Sequence, residues 1–177
     1  MSIPVLPADA VTVSLGQRLV TRAVVGAARV LARRQPRHIR AVLIRVRRGA
    51  RPATVAEAGL ARDTVLTVSP RCCGARACLV RSIATALLCR TRSVWPTWCV
   101  GVLKAPPFAA HAWVEAEGRM VDEATEAGYY TRLITIEASG ELPSPGTEHG
   151  NRGGGDNHGD GEGELRGSGR DGARFVR

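Results

Sequence analysis

The chain of 177 residues has one lysine, Lys104, and no acidic residue between Ala10 and Ala56. Aromatic residues make up only 4%, and they are missing from the N-terminal third. Without rings to stack on bases, that third is a poor single-stranded nucleic-acid platform despite its charge. No apolar run reaches the roughly 18 residues a membrane span needs. Met1 to Ala10 has no basic segment followed by an apolar core, so nothing there reads as a secretory signal. A soluble cytoplasmic protein is expected. The cysteines are odd in number, at 72, 73, 78, 89 and 99, and without an export signal they read as thiols and not as a disulfide framework. Cys72 and Cys73 are adjacent and no second ligand pair follows, which argues against zinc. No metal or cofactor is called for.

What is present divides the chain unevenly. The formal charge is +9, and hydrophobic residues at 44% suffice for one core. From Glu141 to Arg177, five arginines face seven acids among 11 of the 20 glycines, a local charge of −2 that leaves +11 for the rest. No large apolar residue lies between Leu142 and Leu165, so residues 143–177 read as a disordered glycine-rich tail. At the other end, Leu15, Leu19, Val20, Ala23, Val24, Ala27, Val30 and Leu31 recur at helical spacing after Ser14, a candidate N-cap, and before Pro36. Further amphipathic stretches run over Ile39 to Val46 and Thr54 to Ala61, the latter with a Thr54/Glu57 capping-box spacing. Residues 1–56 therefore read as a basic helical region and 57–142 as the functional core. Eleven arginines lie between Ala10 and Ala56. Their plain role is to solvate helix surfaces with their stems over apolar neighbours. Their sharper role is an electropositive surface for an acidic partner.

Leu79, Ile83, Ala86, Leu87 and Arg90 follow helical spacing after Gly74, which places Cys78 at a helix N-terminus. There, free N–H groups, the helix dipole and the nearby Arg76 and Arg81 favour thiolate. Cys72 and Cys73 fall in the preceding loop, Cys89 late in the helix, and Cys99 inside an apolar strand, Trp98 to Leu103, where thiols usually behave as small hydrophobes. Among the histidines, His149 and His158 lie in the tail and His38 in the basic helices, leaving His111 in strand-like sequence. Strand alternation puts His111, Trp113 and Glu115 on one face. A Glu117-Gly118 turn then sets Ala116 opposite Arg119, Glu115 opposite Met120, Val114 opposite Val121 and Trp113 opposite Asp122, so that Asp122 shares the His111 face on the diagonal. Glu123 points away in that register. A one-residue slip would exchange the two, and Glu115 is on the His111 strand itself. Cysteine, histidine and an orienting carboxylate in this order make a nucleophilic constellation. The strand tryptophans, Trp95, Trp98 and Trp113, are expected in the core, with the lining of a substrate groove as the alternative, and Arg81 and Ser82 on the helix surface or bracing the loop.

The stretch from Arg71 to Glu123, above all Cys78-Leu79-Val80-Arg81-Ser82, Trp95 to Val102 and Phe108-Ala109-Ala110-His111-Ala112-Trp113-Val114-Glu115, resembles the lasso peptide biosynthesis B2 proteins. These are stand-alone leader peptidases with a transglutaminase-like, papain-related cysteine protease fold. The arginine-rich N-terminus and Arg48 to Thr54 fit the same family, so the resemblance covers roughly residues 12 to 137. It implies an α+β core, a central helix on a small antiparallel sheet, behind a helical N-terminal region. It implies cleavage at the leader–core junction of a precursor peptide, with Cys78 as nucleophile, His111 as general base and then acid, and Asp122 as third member. The partners implied are the precursor, a separate B1 leader-binding protein and a cyclase resembling asparagine synthetase, which closes the macrolactam. A non-catalytic basic adaptor for an acidic peptide or nucleic acid, or acyl transfer to an amine, are the alternative readings.

Overall fold

The computed structural model describes residues 6–7, 11–106, 108–122 and 127–138. They belong to a unit spanning Met1–Ser144, and the expected glycine-rich tail from residue 143 lies outside the described residues. Helix α1, Leu15–Ala32, starts where Ser14 Oγ accepts the Gln17 N–H at 3.3 Å and Gln17 accepts the Ser14 N–H at 3.0 Å. That reciprocal cap satisfies donors that a helix start leaves open. Pro36 opens α2, Pro36–Val46, three residues earlier than the apolar pattern suggests. Its fixed φ suits the first turn and its missing N–H is not needed there.

Strand β1, Arg51–Pro52, precedes α3, Val55–Val68. Thr54 and Glu57 form the expected capping box, with Thr54 Oγ1 accepting the Glu57 N–H at 3.2 Å and Glu57 accepting the Thr54 N–H at 3.0 Å. The helix runs seven residues past Ala61, its expected end, because Arg62, Asp63, Thr64, Val65 and Leu66 are all buried. A helix buried around most of its girth shows no amphipathic period from which to read its length. A short 3-10 turn, Pro70–Cys73, replaces the expected open loop.

Helix α4, Cys78–Arg90, is the centre of the fold, packed against α1 and α3 and against the sheet strands. After it come β2, Val94–Trp95; β3, Thr97–Leu103; β4, Ala110–Ala116; β5, Arg119–Met120; and β6, Tyr130–Ile136. The first two short strands, β1 and β2, pair in parallel, while the main sheet is antiparallel in the order β5-β4-β3-β6. The fold is α+β, a central helix on a small antiparallel sheet behind N-terminal helices. Glu115 pairs with Met120 and Ala116 with Arg119, and the Val121 N–H reaches Val114 O at 3.1 Å, so the turn at Glu117-Gly118 sets the expected register.

Trp98, Val114, Ala116, Val121 and Ile136 join the helices in one apolar core. All three tryptophans are buried. Each indole N–H is paired: Trp95 to Ile136 O at 3.1 Å, Trp98 to Ser82 Oγ at 3.1 Å and Trp113 to Glu115 Oε1 at 2.7 Å. Large rings thus fill the core without an orphaned donor. Gly101, opposite His111, is where strands crowd most. A Cβ there would lie 2.5 Å from Thr131 O and 2.9 Å from the Trp113 ring, and the β3–β6 register shifts at this point.

The arginines divide in two. Arg18, Arg22, Arg33, Arg34, Arg37, Arg40 and Arg45 are exposed. Others bridge the ends of elements: Arg47 donates to Glu137 O, while Arg90 reaches Val46 O at 2.8 Å and Arg48 O at 3.2 Å. Among the described residues, no helix is long and apolar enough to cross a membrane.

Candidate active site

Cys78 is the first residue of α4, after Ala77 as N-cap. Its position follows from local sequence: Ala77 N–H closes on Gly74 O at 3.0 Å, which ends the loop, and Arg81 N–H closes on Ala77 O at 2.7 Å, which starts the helix. The loop before it is clamped from behind. Arg81, expected on the surface or bracing the loop, is buried and donates to Cys72 O at 3.1 Å, so the bracing role is the one the structure displays. Ser82 is likewise buried, bridging Leu79 O and the Trp98 indole.

The half-buried Cys78 thiol meets β4. The His111 side chain hydrogen-bonds it, as do the backbone N–H groups of Ala112 and Leu79. Burial alone pushes this thiol up. The imidazole and the two backbone donors more than offset that cost, and its pKa lies below the usual thiol value. Three other cysteines go the other way. Burial raises Cys73, and it pushes Cys89 and Cys99 up to about 12. All five cysteines are free thiols. Among them, Cys78 has the environment of a nucleophile.

His111 is 8% exposed and stands against two rings. Trp113 lies nearly parallel to it at a centroid distance of 5.9 Å, and Tyr130 at 5.5 Å with 27° between planes. Trp113 and Tyr130 also touch each other at 5.0 Å. Tyr130 was not legible in the sequence: it is brought to β4 only because β6 pairs with β3.

Of the carboxylates, Glu115 is buried and committed elsewhere, accepting the Trp113 indole N–H and Arg132 Nη2 at 2.9 and 3.0 Å. Asp122 follows Val121 just beyond the paired residues of the β4–β5 hairpin, with a left-handed φ of 48°. Its Oδ2 lies 3.9 Å from Arg62 Nη1, and its carbonyl accepts Arg62 Nη2 at 2.5 Å. Glu123 lies outside the described residues. The structure thus brings Cys78 and His111 together and ties Asp122 to α3 through Arg62.

Arg62 is a residue that sequence reasoning passed over. It is 2% exposed, at an apolar spacing in α3 with Ala58, Ala61, Val65 and Leu66, beside buried Asp63 at 3.4 Å. An arginine on the inward stripe of a helix is itself the signal, since a buried charge requires partners. Among the described residues, no group of three or more His, Cys, Asp or Glu side chains is placed to hold a metal ion.

A thiol of lowered pKa at a helix start, hydrogen-bonded to an imidazole on a facing strand, is suited to attack on a carbonyl carbon. No curated protein and no solved structure gave a match to this chain. The family model of the transglutaminase-like superfamily matches residues 21–135, from the middle of α1 to the end of β6, and the chain belongs to that superfamily, whose members are commonly cysteine peptidases or acyltransferases.

Proposed function

We propose that the protein is a cysteine peptidase that removes the leader of a lasso peptide precursor, with Cys78 as nucleophile, His111 as general base and acid, and Asp122 as the carboxylate that orients the imidazole. The observation that carries the catalytic part is the His111 hydrogen bond to a thiol whose pKa is lowered. The narrower substrate rests on the Cys78 to Ser82 and His111 to Glu115 blocks, which resemble the stand-alone leader peptidases.

In this mechanism Cys78 Sγ attacks the carbonyl at the leader–core junction and its proton passes to His111. The Cys78 N–H, one of the donors a helix start leaves without an intrahelical partner, stabilises the oxyanion. His111 then protonates the departing amine, leaving a thioester. Water attacks the thioester, giving a proton to the imidazole, and the thiolate leaves with the leader carboxylate released. Asp122, held beside Arg62, is the acceptor for the imidazolium. The precursor, a B1 leader-binding protein and a cyclase resembling asparagine synthetase are the partners that this reading requires.

The test is incubation of the purified chain with a precursor and the leader-binding protein, with products read by mass spectrometry. Hydrolysis at the junction is expected, lost in Cys78→Ala and His111→Ala. Products carrying an added amine would make the enzyme an acyltransferase. Unchanged cleavage by Cys78→Ala would remove the thiol from the mechanism.

A further inference from the structure

An open apolar groove of about 670 Å³ runs between α1 and α2, away from the candidate active site. Val30 and Leu31 line it from α1, with Arg34 one turn on, and Val42 and Val46 from α2, with His38 one turn back. These are i, i+4 spacings, so each helix presents one continuous face to the groove. Val30, in the last turn of α1, and Val42, in the middle of α2, are 55% and 41% exposed, large for apolar side chains on a helix. Leu87 of α4 forms part of the lining. Cys78 begins the same helix, about 13 Å away along its axis at about 1.5 Å per residue.

The surroundings carry one sign of charge. No acid occurs in α1, α2 or the residues between them, while Arg33, Arg34, Arg37 and Arg45 are exposed and, among the described residues, the polar ones lining the groove are Arg34 and His38. A valine-lined trough between two helices, with Arg34 in its lining and further exposed arginines on or beside the same helices, is complementary to a helix with an apolar stripe and acidic flanks. Nucleic acid fits less well, since it has no apolar stripe to place on Val30 and Val42.

We infer that this groove is a docking site for an acidic amphipathic helix of a partner protein, separate from the site that holds the scissile peptide. It lies on the same central helix as Cys78, so a partner seated there is within reach of the nucleophile without occupying its cleft. The inference stands on the groove itself and holds whether the chain hydrolyses or transfers acyl groups.

The test is fluorescence anisotropy of the full chain with a labelled 18-residue peptide, leucine on one helical face and glutamate on the other. Saturable binding is expected, weakened about ten-fold or more by Val42→Asp and by Val30→Gln. Both positions are exposed, and circular dichroism of each variant checks the fold. A peptide with lysine for glutamate, and one with serine for leucine, should not bind. Absence of binding, or equal binding by wild type and both groove variants, overturns the inference. So does tight binding of the serine peptide or of a DNA oligonucleotide that Val42→Asp leaves unchanged, which would make the surface a general anion site. A wild-type dimer in sedimentation that Val42→Asp dissolves would make a second copy of the chain the occupant, and would overturn it too.

Discussion

The His111 imidazole hydrogen-bonds the Cys78 thiol where the start of β4 meets the start of α4, so one residue of the sheet and one of the central helix share a proton site. The thiol accepts this contact together with the N–H groups of Ala112 and Leu79, all of which stabilise its charged form.

Alkylation should single out Cys78. The thiol pKa is lowered in the fold, so the thiolate fraction rises at a lower pH than for a free cysteine and falls as pH drops through the lowered value. Mass-spectrometric mapping of iodoacetamide adducts between about pH 5 and about pH 9 should find Cys78 first and Cys89 and Cys99, which burial holds near 12, unlabelled. His111→Ala should move the Cys78 profile to higher pH. A profile that stays in place would mean that the imidazole does not tune the thiol.

Gly101→Ala is expected to cost about 1–3 kcal/mol or more of stability, because the added methyl meets Thr131 O and the Trp113 ring, neither of which yields cheaply. Urea unfolding with an unchanged slope measures this. Since Gly101 faces His111 across the ladder, any fall in activity should accompany the displacement of Trp113, visible as a change in its fluorescence.

Arg62→Met keeps the volume of the side chain and removes its charge. It removes one charged partner of the buried Asp63 and the tie from α3 to Asp122, so a loss of about 3–5 kcal/mol is expected. Pairing Arg62→Met with Asp63→Leu should recover much of that loss in a double-mutant cycle.

Glu57 ties the start of α3 to Arg51, whose guanidinium holds its carboxyl down at about 2. A carboxyl with a lowered folded pKa adds stability above its unfolded value, and this is lost as pH falls through the folded one. The pair is near the surface, so the effect is small. Glu57→Gln should lower stability slightly at neutral pH, and its difference from wild type should shrink as pH falls through about 2. Thermal unfolding against pH reads both.

Local patterns settled much of this protein. Ser14, Thr54 with Glu57, and Gly74 before Cys78 mark helix starts through hydrogen bonds that span only a few residues, and the structure places the starts there. The Glu117-Gly118 turn set the β4–β5 register for the same reason. Where burial is all-round, as on α3, the residue pattern lost its period and the helix end was missed.

The sequence by itself placed a cysteine at a helix start, a histidine on a strand and a basic surface on the first two helices, since each depends on neighbours in the chain. Only the tertiary structure decided that His111 reaches Cys78, that Tyr130 arrives beside it from β6, that Glu115 is taken up by Trp113 and Arg132, and that Asp122 is held by a buried Arg62. Those contacts join residues distant in sequence. They form only once the apolar faces of α3, α4 and the sheet have closed on one another, and this closure determines which charges are buried with which partners.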